Sequence, residues 1–292
     1  MKRKSKSIES PLRSPEDLVL AVPKLLGFKP EESLVVVVTK RKLIQLTVRV
    51  ELTDLGQPGY LESLINRVLT RFPKATLYFV VISAQPELMV QVAGEVTEQM
   101  RGKFLGDVIM VADVGGGKPS EAPSREDLEL LFAGPSVERV LELNQQIKQV
   151  NAELKKQPTV RWPQLALELL ESGDTDTDTL LKLALLAAHY PSREALIMQL
   201  THENSARYVY CWLQVLALTP PIWQEQVLTI LALACWVDAG GVMLSLARDR
   251  LLRDFPNAPI LPFLVQLHDS IVPPSVWDDL RPQLQELVLE AA

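Results

Sequence analysis

Arg49 and Glu51 are the residues whose types and spacing most invite chemistry. They lie two apart in "IQLTVRVEL", where Ile44, Leu46, Val48 and Val50 alternate with polar residues. That alternation predicts a strand with one wet face. Residues i and i+2 of a strand share a face, so the guanidinium and the carboxylate stand side by side, opposite the apolar stripe. As an ion pair on a half-covered face they would contribute ~0–1 kcal/mol. Alternatively they form the polar floor of a cleft, joined by Ser33 and Asp113 from neighbouring strand ends, because open sheets place ligands at strand termini where the strand order reverses. Ser33, Arg49, Glu51 and Asp113 are therefore the candidate ligand-binding set.

Other motifs fall short of the chemistry they suggest. "GGGKPS" follows an apolar strand like a phosphate loop, but that loop needs Gly at 112 and Ser or Thr at 119, and the chain has Ala112 and Pro119. Pro119 also removes an N–H that would cradle phosphate. "DTDTDT" from Asp174 opens like a calcium loop, yet Thr179 stands where the loop turns on Gly and Leu185 where it closes on Glu. It reads as a capped, solvated turn. His189, His202 and His268 have no second His or Cys at metal spacing, and no G-x-S-x-G elbow offers a nucleophile. No catalytic residue, metal or cofactor is expected, and the reading leans away from an enzyme.

The elements that would position the candidate residues alternate up to about Asp113. Ser14, Pro15 and Asp17 open a helix carrying Leu18, Val22, Leu25 and Leu26 on one face. Pro23 should bend that helix or divide it; Gly27 and Pro30 close it. "SLVVVVT" lacks alternation, as a strand buried on both faces does, and should pair as a hairpin with the Arg49 strand. A helix from about Pro58 to Phe72, the strand "ATLYFVVIS", a helix from Pro86 to Met100 and the strand "DVIMVAD" follow. This order implies a mixed sheet covered by helices.

Beyond Ser124 the signal is helical throughout. Prolines and glycines punctuate helices of ten to eighteen residues, Asp178 being one expected N-cap. "LALACWVDAGGVMLSLARDRLLRDFPN" reads as one tetratricopeptide-like hairpin, although a solenoid needs about three such units. "SVERVLELNQQIKQVNAELKKQ" places Val137, Val140, Asn144, Ile147, Asn151 and Leu154 at heptad positions. The run is too short for a secure coiled coil, so it is taken as a solvated connecting helix. The five tryptophans fall in this helical half, with core packing as the default role.

Bulk properties narrow the class. A chain of 292 residues that is 47% hydrophobic can bury a sizeable core. Its longest apolar stretch near the C-terminal end, "ILALACWV", is far short of the ~20 residues a membrane span needs. "MKRKSKS" leads into polar residues without an apolar core, so no secretory signal is expected. Residues 1–14 hold Lys2, Arg3, Lys4, Lys6 and Arg13 against Glu9, which leaves the rest near −10 for a total of −6. An acidic body argues against nucleic-acid binding. Cys211 and Cys235 lie in apolar helices, as expected of reduced, packed thiols in a cytoplasmic protein.

Two stretches carry a family likeness. "SPEDLVLAVPKLLGFKPEESLVVV", followed by the Arg49 strand, resembles the opening of the bacterial domain of unknown function 4192 family. "ALACWVDAGGVMLSLARDRLLRDFPNAPILPFLVQLHDSIVPPSVWDDL" is similar to that family's closing pattern. The resemblance implies a two-part build and a cytoplasmic location, and no activity. The family's Arg-x-Asp is Arg49-x-Glu51 here, and its Gly-Arg-Trp-x-Ser-Tyr segment is replaced by "VADVGGGKPSEAPS". The expected layout is α/β plus all-α: a basic tail (1–13), an α/β domain (14–118), a loop and linking helix (119–158) and a domain of helical hairpins (159–292). Two functions follow. One is a non-enzymatic interaction or scaffold protein that binds a protein partner, or itself as a homo-oligomer, through the helical half. The other is a small-ligand or nucleotide-binding protein with its site at the strand ends.

Overall fold

The structure is a computed structural model that describes residues 15–41, 43–103, 105–112 and 123–282. Asp113, the tail 1–13 and the GGGKPS loop lie outside the described residues. The chain divides into two compact units, Met1–Arg125 and Glu126–Ala292.

The first unit runs α1 (Pro15–Leu26), β1 (Ser33–Lys40), β2 (Leu43–Glu51), α2 (Tyr60–Arg71), β3 (Thr76–Ile82), α3 (Pro86–Gln99) and β4 (Leu105–Val111). The sheet order is β2-β1-β3-β4. β1 is antiparallel to both its neighbours, and β3 and β4 are parallel. Hence β2, β3 and β4 point one way, and their C-terminal ends meet the start of β1 along one rim. "SLVVVVT" is buried at every position, as its unbroken apolar run requires in the middle of a sheet covered on both faces.

One face of the sheet, with Val35, Val37, Val80 and Ile82, packs on Leu18 and Val22 of α1. The opposite face carries Leu34, Val36, Phe79 and Val81, all buried, and α3 packs on β3 and β4. α1 runs as one helix rather than two pieces: Pro23 falls in its last turn, where Gly27 N–H bonds to the Pro23 carbonyl. The apolar stripe of β2 also departs from expectation at one residue. A bulge between Val38 and Thr39 pairs Thr39 with Ile44, which turns Ile44 toward the α1 cluster.

The second unit is all helix among its described residues. Its helices are α5 (Val137–Leu154), α6 (Trp162–Ser172), α7 (Thr177–Ala188), α8 (Tyr190–Met198), α9 (Ser205–Leu216), α10 (Pro221–Val237), α11 (Gly241–Asp254) and α12 (Leu261–Asp269); α4 (Arg125–Leu131) begins on the last residue of the first unit. The stretch read as a tetratricopeptide-like hairpin forms α10 and α11, which pack on each other. α5 is no solvated connector: it packs along α7 and buries Leu143, Val150 and Leu154, of which only Leu154 belongs to the heptad stripe. The cap of α7 is Asp176 rather than Asp178, and its carboxylate accepts from the N–H groups of Asp178 and Thr179. Asp178 pairs instead with Lys182. Asp176 and Asp178 of the calcium-like run thus serve a helix start.

Candidate functional site

Three of the four candidate residues meet on the rim. Ser33 of β1 is directly opposite Glu51 of β2, and Arg49 is one pleat down on the same face. Arg49 Nε donates to Ser33 Oγ at 2.8 Å, and Nη1 donates to Glu51 Oε1 at 2.7 Å. Nη2 reaches the Glu31 carbonyl at 3.4 Å, and the guanidinium lies 5.8 Å from the centre of the Phe28 ring. Ser33 Oγ donates in turn to the Glu31 carbonyl.

Three further participants come from elsewhere in the first unit. Arg125 Nη1 donates to the same Glu51 oxygen at 3.0 Å. Glu32 accepts from Ser83 Oγ at 2.7 Å and from the Ala84 N–H at 2.8 Å, both just past β3. The Glu32 carbonyl also accepts from Leu52 N–H at 3.0 Å. Glu32 itself sits at φ 38°, a left-handed conformation that costs a non-glycine residue about 1 kcal/mol or more. The turn after α1 is therefore tied to β2 by Arg49 and to the β3–α3 loop by Glu32, and those bonds hold the unfavourable backbone in place.

The electrostatics suit a clamp. The Arg49 side chain is 11% exposed, while Glu51 and Arg125 are 43% and 30% exposed. Burial pushes the Glu51 carboxyl up, but the hydrogen bond from Arg49 and the charges of Arg49 and Arg125 outweigh it and hold the pKa below its ordinary value. A carboxyl held low is a weak general base, and arginine does not release a proton. Each nitrogen of the Arg49 guanidinium already donates to this chain. The arrangement holds charge in place rather than moving protons.

Sequence reasoning found the residues that share β1 and β2, where spacing fixes the face. It missed Glu32 and Ser83, whose only signal was polarity at strand ends, and Arg125, which nothing local connects to Glu51. A groove of about 480 Å³ on the first unit lies elsewhere, between the turn Leu55–Gly59 and α3. Its lining does not include Ser33, Arg49 or Glu51.

The tryptophans of the second unit form a second, contrasting constellation. Trp277 Nε1 donates to the Leu200 carbonyl at 2.8 Å, and Trp236 Nε1 donates to the Val272 carbonyl at 3.1 Å. The two indoles meet edge to face, 6.2 Å apart, and Phe263 closes on Trp236 at 5.9 Å. Trp212, Trp236 and Trp277 are buried, while Trp162 and Trp223 are half-buried. His189 bonds Ser192 Oγ at 2.8 Å, and burial pushes its pKa down. His202 bonds the Val237 carbonyl at 3.0 Å, beside Asp278. Among the described residues no three His, Cys, Asp or Glu side chains gather as a metal set, and no helix is long and apolar enough to cross a membrane.

Neither the curated proteins nor the solved structures return a match to this chain. A family does: the one described as Domain of unknown function (DUF4192), over residues 15–116 and 88–275. The two overlapping matches together take in the strand-end clamp and most of the helical unit. The chain belongs to that family.

Proposed function

We propose that this family member is a non-enzymatic protein-interaction or scaffold protein of the bacterial cytoplasm, and that its helical half carries the binding surface. One observation supports the reading above others. Arg250 of α11 donates to Gln224 of α10 at 2.9 Å and to the carbonyl of Phe132, which draws the α4–α5 loop against one end of the α10–α11 hairpin. Around this junction the same elements expose large apolar side chains: Leu130 at 71%, Val137 at 73%, Leu141 at 68% and Ile222 at 77%. Scattered single residues of this kind need no explanation, but several on adjoining elements mark a surface that another protein covers.

The double variant Val137→Asp, Leu141→Asp tests this. Immobilised wild-type chain retains a partner from a bacterial extract; the double variant loses it while keeping the same unfolding midpoint. Equal retention by both would overturn the reading.

A second reading rests on the strand ends. Arg49, Arg125 and Glu51 lie at the rim where open α/β sheets bind ligands, which favours a small-ligand or nucleotide site. A thermal-shift panel of nucleotides and phosphorylated metabolites separates the two. A rise in midpoint that Arg49→Ala abolishes supports the ligand site, and a flat panel supports the clamp.

A further inference from the structure

The four-stranded sheet ends in β2 on one side and β4 on the other, and the two edges are built differently. β2 carries the devices that stop an edge from pairing with another chain. It has a bulge at its pairing with Val38 and Thr39, charged Arg49 and Glu51, and the Gln45 side-chain amide donating to the Leu43 carbonyl. β4, "LGDVIMV", has no lysine, arginine or proline, and its one charge is Asp107. Every residue of β4 is at least half-buried or exposed rather than buried, and Met110 is 51% exposed. Among the described residues no strand lies beyond it.

The helix above β4 adds a second observation. Val92 and Val96 of α3 are buried, and Leu88, Gln91 and Glu95 line the groove shared with α2. At 100° per residue, Val90, Ala93 and Thr97 then occupy the opposite flank, on the side of the free β4 edge. Val90 is 63% exposed, and Thr97 turns its hydroxyl back to the Ala93 carbonyl of its own helix. That flank carries no charge. Met110 pairs with Val81 across the sheet and so belongs to the face that α3 covers, next to this flank.

We infer that β4 is the seam of a homodimer: it pairs antiparallel with β4 of a second copy, and the Val90–Ala93–Thr97 flank of α3 packs on its twofold mate. Three features select a second copy as the occupant. Antiparallel edge pairing about a twofold is isologous, so one strand serves both sides. A register centred on Val108 or Ile109 sets Asp107 opposite an apolar residue instead of its own copy, avoiding like charges across the seam. The dimensions also agree. Strands lie about 4.8 Å apart, and α3 packs on both β3 and β4. The two copies of α3 would then run about 10 Å apart, at the spacing where helices pack, and the small side chains Ala93 and Thr97 permit it.

The test is sedimentation of the full-length chain with two variants, Met110→Lys and Thr97→Arg. Both residues are exposed in a single copy, so neither change disturbs the fold, and far-UV circular dichroism should match the wild type. The wild type is expected to sediment at twice the chain mass, and each variant to weaken the dimer by ~30-fold or more. A wild type that stays monomeric overturns the inference, including one that instead takes up an added extended peptide. So does a dimer that both variants leave intact. That last result would move self-association to the helical unit without touching the proposed function.

Discussion

The strand-end clamp of the first unit and the tryptophan clasp of the second fasten the two stretches that carry the family likeness, by opposite means. In the clamp, half-exposed charges converge: Arg49 and Arg125 on one oxygen of Glu51, with Ser33 and the Glu31 carbonyl taking the remaining Arg49 bonds. In the clasp, buried indoles do the fastening, each with its single N–H donated to a backbone carbonyl of a distant segment. Charge-assisted bonds near a surface respond to pH and salt. Buried indoles contribute apolar area plus one neutral bond, and neither depends on a titrating group. The clamp should therefore loosen in acid while the clasp does not.

The largest effect is expected from the clasp. Trp277→Ala removes a side chain that is 1% exposed and should cost about 3–5 kcal/mol, read as a lowered midpoint in urea. Trp277→Phe keeps most of the ring but leaves the Leu200 carbonyl without its indole donor, for a loss of about 1–3 kcal/mol. A Trp277→Phe protein as weak as Trp277→Ala would mean that the hydrogen bond matters more than the packing.

Next comes the clamp. Arg49→Ala leaves Ser33 Oγ without its donor and Glu51 with Arg125 alone, and should cost about 1.5–3 kcal/mol in thermal unfolding. Arg49→Lys should recover little, because a lysine cannot present the guanidinium fork that reaches Ser33 and Glu51 together. Full rescue by lysine would reduce the clamp to a simple ion pair.

A pH titration sharpens the contrast. The Glu51 pKa lies below its ordinary 4.5 in the fold. A carboxyl depressed on folding contributes stability that is present above its unfolded value and lost as pH falls through the folded value. The wild type should thus exceed Glu51→Gln in stability above pH ~5, and the gap should close in acid. A gap that persists at low pH would show that Glu51 works through shape alone.

The smallest effect is a silence. Burial pushes the Cys211 thiol up to about 11 and raises Cys235 further. Both should resist iodoacetamide in the native state and react only on unfolding, as mass spectrometry would record.

Much of this was legible where the chemistry is local. The β1–β2 hairpin and the α10–α11 hairpin follow from period-two and period-3.6 patterns with Gly and Pro between them, and Ser33, Arg49 and Glu51 share a face by spacing alone. The remainder depended on distant partners. On α5 the sequence offers two overlapping apolar stripes, and only packing on α7 decides that Leu143 and Val150 turn inward while Val137 stays exposed. Ile44 changes face because of a bulge that no residue type announced. Arg125 and Ser83 join the clamp from 74 and 51 residues away, and no periodicity carries information across such gaps.

The central claim is that the strand ends fasten the fold while the helical half meets the partner. Partner retention by immobilised wild-type chain, compared with Arg49→Ala and with the double variant Val137→Asp, Leu141→Asp at a temperature where all three are folded, tests it most directly. The account predicts retention by the wild type and by Arg49→Ala, and loss in the double variant. Loss in Arg49→Ala together with retention in the double variant would contradict it and place the function at the strand ends.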